Sequence, residues 1–226
     1  MTGARGLSRL LAATLFPPDC CLCGFPGASP DLDLCHYCHG DLPWDGAELG
    51  ALTALRFEHP VDDMIRRLKY RGDFAIGRVL GALLAEVAAQ PGATLPKLLV
   101  PVPLHDGRLR ERGFNQAAAL ARFAGRLLEI PVAAHALRRV RDTPSQTALS
   151  VAARGLNVRD AFAVDTKHAA RLTELEHVAI VDDVMTTGST LRAARAALLA
   201  AGVRRVELWA VARALPSVRD TPGTVP

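Results

Sequence analysis

Aromatic side chains are scarce, at 5% of 226 residues, which speaks against an extended platform for stacking the bases of a single strand. No stretch reaches the roughly 18 uninterrupted apolar residues that a bilayer-spanning helix requires, because Arg or Lys punctuates each hydrophobic segment. No membrane span is therefore expected. Charge of one sign does not dominate either. Lys+Arg 27 against Asp+Glu 23 leaves +4, enough to favour anionic partners, whether phosphorylated small molecules or nucleic acid. With half its residues apolar and 22% charged, the chain is not collagenous, low-complexity or disordered through charge. It is long enough for one good core and one small accessory module.

Cysteine is absent beyond residue 38. All five cysteines lie between Cys20 and Cys38, an odd number in a tight cluster, which excludes a scattered disulfide framework and points to metal and a reducing cytoplasm. Cys20-x2-Cys23-Gly24 and Cys35-x2-Cys38 are two knuckles with eleven residues between them. Each CxxC turn sets two sulfurs on one side of a tight loop, so two turns complete the tetrahedron of a four-thiolate zinc site. Four thiolates leave no open coordination position, so the predicted role is structural. Cys21, His36 and His39 lie inside the cluster, and one of them could replace a thiolate. The apolar stretch before the cluster carries Arg5 and Arg9, ends at Pro17-Pro18 and lacks a small-residue cleavage site. It reads as a short helix on the main body rather than a secretory signal.

Residues 1–48 thus form a helix and zinc-ribbon-like module, 49–214 a main domain, and 215–226 a Pro/Gly/Thr tail expected to be disordered. Val61, Met64, Ile65 and Leu68 recur at helical spacing, and Asp73 is placed to cap a second helix carrying Ile76, Val79, Leu80, Leu83, Leu84 and Val87. Two helices are expected before any strand. Lys97–Pro103 reads as a buried strand, Arg108–Gly113 as a basic loop, Asn115–Leu128 as a helix and Val132–Leu137 as a strand. Arg138–Ser150 lacks apolar periodicity and reads as a mobile loop. A short helix near Val151, strands at Ala161–Val164, His177–Val181 and Val203–Val211, and a helix from Thr190 to Ala201 complete the reading, with Gly202 at its C-cap. Such alternation predicts an α/β fold with a mainly parallel sheet, helices on both faces, and ligands beyond the carboxyl ends of the strands.

The most informative segment runs from Val178 to Thr190. An apolar strand delivers Asp182 and Asp183 to its carboxyl end, and a turn rich in hydroxyls then enters a helix. Backbone N–H groups of the turn and helix start can wrap a phosphate, with donors from Thr186, Thr187, Ser189 and Thr190 around Gly188. A nucleotide P-loop needs a lysine after its last glycine, and Ser189 stands there instead. Two carboxylates before a monophosphate cradle suit a ligand with vicinal hydroxyls, which a ribose 5-phosphate supplies.

This string resembles the phosphoribosyl pyrophosphate (PRPP) motif of type I phosphoribosyltransferases. Pro101-Val102-Pro103-Leu104-His105 and Arg112-Gly113-Phe114-Asn115-Gln116 are similar to the ComF family, which is competence-associated and amidophosphoribosyltransferase-like. Leu68–Gly72, Thr143–Thr147, Arg154–Val158 with Phe162, and the cysteine knuckles follow in that family's order, so the resemblance spans Cys20 to Arg213.

The resemblance implies a phosphoribosyltransferase fold in which Asp182 and Asp183 engage the ribose hydroxyls of PRPP and its Mg²⁺. Thr186, Thr187, Gly188, Ser189 and Thr190 would hold the 5-phosphate. Leu104 and His105, with Arg108 and Arg112 after them, would meet pyrophosphate, and Arg139–Thr147 would close over the site. A leaving pyrophosphate needs cations, for which Arg108, Arg112, Arg139 and Arg141 are candidates, with Lys69 and Arg71 from the earlier helices. Two functions follow. One is Mg²⁺-dependent transfer of a phosphoribosyl group to or from a base or amine, tied to nucleotide salvage and DNA uptake in the cytoplasm. The other is a non-catalytic, PRPP-responsive adaptor that binds single-stranded DNA or a DNA-uptake helicase.

Overall fold

A computed structural model describes residues 18–28, 32–45, 50–140 and 161–215. The expected amino-terminal helix, the helix near Val151, the Thr143–Thr147 and Arg154–Val158 motifs, Arg141 and the tail beyond Leu215 lie outside the described residues.

After a short helix α1 (His36–Gly40), strand β1 (Leu52–Arg56) leads to α2 (Val61–Arg71) and α3 (Phe74–Ala88). Val61, Met64, Ile65 and Leu68 make the buried stripe of α2, as their spacing requires. Gly72, with φ 62°, ends α2 in the left-handed conformation that a residue without Cβ adopts freely. The Asp73 carboxylate accepts from the Ile76 N–H at 3.3 Å and starts α3, as an N-cap should.

Strand β2 (Leu98–Pro101), α4 (Asp106–Arg112) and α5 (Gln116–Leu127) follow. Then come β3 (Leu137–Arg139), β4 (Phe162–Val164) and α6 (Thr166–Thr173). Strand β5 (His177–Met185), α7 (Ser189–Ala200) and β6 (Arg205–Arg213) close the fold.

The main sheet has the order β1-β6-β5-β2, and every pair in it is parallel. Side chains alternate along β5. Ala179 and Val181 join the core under α2, α3 and α5, whereas Val178 and Ile180 join a second core with Leu172 of α6 and Leu191, Ala194 and Leu198 of α7. The period of two thus decides which helices each strand residue meets. Strands β3 and β4 form a separate antiparallel pair.

Close contact between α3 and α5 rests on Gly81, where an added Cβ would stand 2.5 Å from the Phe123 Cβ and 3.2 Å from the Leu120 carbonyl oxygen. Gly81→Ala is expected to lower stability by about 2 kcal/mol, because overpacking between two helices outweighs the gain of about 1 kcal/mol in helix propensity. Urea unfolding at equilibrium checks this.

Four expectations need correction. Strand β1 precedes the two helices that were expected to come first. Its sequence, Leu-Thr-Ala-Leu-Arg, is poor in β-branched residues, and pairing with β6 makes it a strand. Most of the expected loop Arg108–Gly113 is helix α4, capped by the His105 ring, whose Nδ1 accepts from the Gly107 N–H at 3.4 Å. The expected strand Val132–Leu137 reduces to one bridge, Leu99 to Val132, before β3 begins. Arg138 and Arg139 belong to β3, not to a loop, with Arg139 opposite Phe162.

Candidate functional site

Strand β5 carries the acidic pair to the carboxyl end of the sheet. Asp183 is buried and stands on the side of Ala179 and Val181, under α2. There the Lys69 ammonium, near the end of α2, lies 2.5 Å from the Asp183 Oδ2. Asp183 Oδ1 accepts from the Val184 N–H at 2.8 Å, and Asp182 Oδ1 accepts from the Asp183 N–H at 2.9 Å. Asp182 instead lines a small cleft with Thr186, Gly188, Ser189 and Thr190. Burial, then the neighbouring Asp183 charge, pushes the Asp182 carboxyl well above the usual carboxylate range.

The turn after β5 is tied internally. Gly188 has φ 71° and occupies the N-cap of α7, a conformation that other residues adopt only with strain. Thr187 Oγ1 donates to the Ser189 Oγ at 3.1 Å and accepts from the Ser189 N–H at 3.4 Å. Arg192 on the first turns of α7 donates to the Thr187 carbonyl at 2.6 Å. The result is a compact loop with a helix amino terminus behind it, facing the same cleft as Asp182. That arrangement favours an anion with several acceptor oxygens.

In the amino-terminal module the sulfurs of Cys20, Cys23, Cys35 and Cys38 all lie within 4.8 Å of one another, and those of Cys23 and Cys35 are 3.6 Å apart. Four thiolates around one tetrahedral zinc stand about 3.8 Å apart, so the donor set fits a single metal ion. Burial raises the Cys20 thiol, yet backbone hydrogen bonds at Cys35, Cys23 and Leu22 outweigh it and bring it to about 6. Cys21 is not in the cluster, and burial, then the Cys20 charge, pushes its thiol up to about 12. His36 and His39 are also outside the set of four.

The module is seated on α2 and α3. Arg67 donates to the Cys21 carbonyl at 3.1 Å and to the Asp73 carboxylate at 2.8 Å. Arg78 reaches Asp33 at 2.5 Å, and the His39 ring meets Glu86 at 2.9 Å. Cys20, Leu34, Cys35 and Leu42 belong to the same apolar core as α2 and α3.

A phosphoribosyl transferase domain matches residues 111–220. Competence protein F of Haemophilus influenzae is 37% identical over 161 residues, which cover 69% of this chain and 69% of that one. DNA utilization protein YhgH of Escherichia coli K12 is 31% identical over 200 residues, 87% of this chain and 84% of that one. The chain belongs to the ComF family. Among solved structures, glutamine PRPP amidotransferase from B. subtilis is similar at 22% identity with a TM-score of 0.39, over 59% of this chain and 25% of that one.

Within this ComF-family chain, the cations expected near pyrophosphate are spread over three places. Lys69 is on Asp183. Arg108 and Arg112 lie on α4, with the Arg112 guanidinium 3.1 Å from the Gln116 side chain and 5.3 Å from the Tyr70 ring centroid. Arg139 sits on β3 with its guanidinium 5.6 Å from the Phe162 ring centroid. Leu104 and His105 join β2 to α4. Lys69, expected near pyrophosphate, instead pairs with Asp183, a contact between a helix and a strand far apart in sequence that no local spacing displays. No helix among the described residues is long and apolar enough to cross a membrane.

Proposed function

We propose that this chain binds PRPP with Mg²⁺ and transfers its phosphoribosyl group to or from a base or amine, with pyrophosphate as the leaving group. The observation that carries this reading is the continuity of one element. Strand β5 carries Asp182 and Asp183 near its carboxyl end, and Asp182 shares one cleft with Thr186, Gly188, Ser189 and Thr190 of the turn and helix start that follow directly. The phosphoribosyl transferase domain match over the same residues supports it.

The residues suit the groups of PRPP. Thr186, Thr187, Gly188, Ser189 and Thr190 would hold the 5-phosphate through backbone and hydroxyl donors. Asp182 and Asp183 would accept from the ribose hydroxyls and hold Mg²⁺, which supplies neutralisation of the pyrophosphate charge. Arg108 and Arg112, with Leu104 and His105 shaping the turn before them, would meet the pyrophosphate oxygens. In the transfer the bond from ribose C1 to the pyrophosphate oxygen breaks, C1 bonds to the nitrogen, and the nitrogen's proton passes to the departing pyrophosphate or to water. Zinc held by Cys20, Cys23, Cys35 and Cys38 would keep the module folded.

A second reading is a PRPP-responsive adaptor of DNA uptake, bound to single-stranded DNA or a helicase in the cytoplasm. The Lys69 ammonium on Asp183 favours it, because this carboxylate already has a cation within the protein.

Calorimetric titration with PRPP and Mg²⁺, followed by a pyrophosphate-release assay over a panel of nucleobases, separates the two. Base-dependent release establishes transfer, and binding without release establishes the adaptor. Absence of binding overturns both. Thr187→Ala is expected to weaken PRPP binding about tenfold or more through loss of a donor to a charged group, with a melting temperature only a few degrees lower through loss of its bond to the Ser189 N–H.

A further inference from the structure

The few aromatic residues are not evenly spread. Tyr70 at the end of α2 is 71% exposed, and Phe74 at the start of α3 is 47% exposed. Across from them is the turn between α4 and α5. Phe114 in that turn meets Phe74 with ring centroids 5.1 Å apart and planes tilted by 56°. The Arg112 guanidinium stands over the Tyr70 ring. Both turns begin at a glycine in the left-handed conformation, Gly72 and Gly113, so both helices stop abruptly and bring these rings together.

Each turn is also anchored beside the acidic pair. Lys69, one residue before Tyr70, is on Asp183. Asn115, one residue after Phe114, donates to the Val102 carbonyl at 3.0 Å, and the Val102 N–H donates to the Val181 carbonyl at 2.9 Å. The aromatic surface therefore adjoins the carboxyl ends of β2 and β5.

We propose that this surface, centred on Tyr70 and Phe74, seats a flat heterocyclic base by stacking. The proposal rests on the PRPP reading above and names where the base lies relative to it. A tyrosine left mostly in water is backed on one ring face by a guanidinium, which leaves the other face for a second flat group. Arg71 and Arg110 are exposed nearby in sequence, alongside Arg108 and Arg112. Of these, Arg112 is the cation placed against the rings, and α4 also carries the exposed Asp106 and Glu111, so the positive charge that phosphates attached to a base would meet is local to Arg112. An apolar peptide side chain gains little from such a rim, and a ringless amine gains nothing from the rings. The same chemistry is offered by a free base or by a base within a single strand.

The test uses the fluorescence of 2-aminopurine, free or placed once in a short oligothymidine, titrated with the full chain with and without PRPP and Mg²⁺. Stacking quenches the probe. Tyr70→Leu and Phe74→Leu are each expected to weaken binding about tenfold, the scale of one lost base stack. Tyr70→Phe should retain it, and the calorimetric PRPP titration should be unchanged in Phe74→Leu.

Quenching of the free base alone marks an acceptor site, and quenching of the oligonucleotide marks a strand site. Failure to quench either probe, or equal affinity in the two leucine variants and the parent, overturns the proposal. So does loss of base and PRPP binding together in Phe74→Leu, which would mark general damage. Quenching that persists where the parent chain gives no PRPP heat overturns the PRPP reading and leaves the stacking surface standing.

Discussion

Asp182→Asn is expected to melt at a higher temperature than the parent chain at neutral pH and to lose PRPP affinity by about 10- to 100-fold, the scale of a hydrogen bond to a charged group. Burial and the charge of Asp183 hold the Asp182 carboxyl well above its usual range. The folded protein therefore binds more protons than the unfolded chain between the ordinary carboxylate pKa and the raised one. Stability falls with rising pH wherever the folded state binds more protons. The contribution of Asp182 is thus fully present in acid and lost as pH rises through the folded-state pKa.

An amide carries no charge to desolvate, and its oxygen still accepts the Asp183 N–H. The variant should therefore be most stabilised at neutral pH and indistinguishable from the parent in acid. Thermal melts from pH 4 to 8, beside a PRPP titration at pH 7.5, measure both effects. A variant melting below the parent at pH 7.5 would mean that Asp182 is held by contacts stronger than its desolvation.

Removal of the metal should have a larger effect on stability. Cys35 contributes a sulfur to the cluster, caps α1 through its side chain and is buried in the core shared with α2 and α3. Cys35→Ser is expected to abolish bound zinc and lower the melting temperature by about 10 °C or more, because metal binding at four-thiolate sites is folding free energy. Cys21→Ser should retain one zinc per chain. Zinc released to a chromogenic chelator on denaturation, with melting curves, tests both variants. Stoichiometric zinc in Cys35→Ser, or its loss in Cys21→Ser, would overturn the ligand set.

The effect should reach the acidic site. Arg67, which ties the module to α2, lies two residues before Lys69 on the same helix, and Lys69 is on Asp183. Loosening the module therefore removes the Arg67 tie to Cys21 from the end of α2 that carries Lys69, while its buried stripe stays in the core.

The parts legible in sequence were those with a strong local pattern. The stripe of α2, the Asp73 cap, the apolar run of β5 with its acidic end and the paired CxxC turns each declare themselves within a dozen residues. What was missed depends on partners far along the chain. Strand β1 has the composition of a helix and takes its conformation from β6. The Lys69 and Asp183 pair joins residues from a helix and a strand that only the parallel sheet brings together. Arg139 looked like part of a loop because the strand that pairs it, β4, comes after a segment without apolar periodicity. The scarcity of aromatic residues spoke against an extended stacking platform for a single strand, and it gave no sign that Tyr70, Phe74 and Phe114 gather at two facing turns.

The order of strands has a consequence for synthesis. β1 has one neighbour in the main sheet, β6, and they are joined at Leu52 to Trp209 and at Arg56 to Arg213. Asp45, where the amino-terminal module meets the sheet, is held by the Arg213 guanidinium at 2.5 Å and accepts from the Thr53 hydroxyl. On the ribosome, therefore, β1 and Asp45 emerge early and wait for the last strand of the sheet. Until β6 arrives, the edge of β1 is open to misdirected pairing. The metal module forms from contacts close in sequence, so metal can fold it first and hold the nascent amino terminus until its sheet is complete.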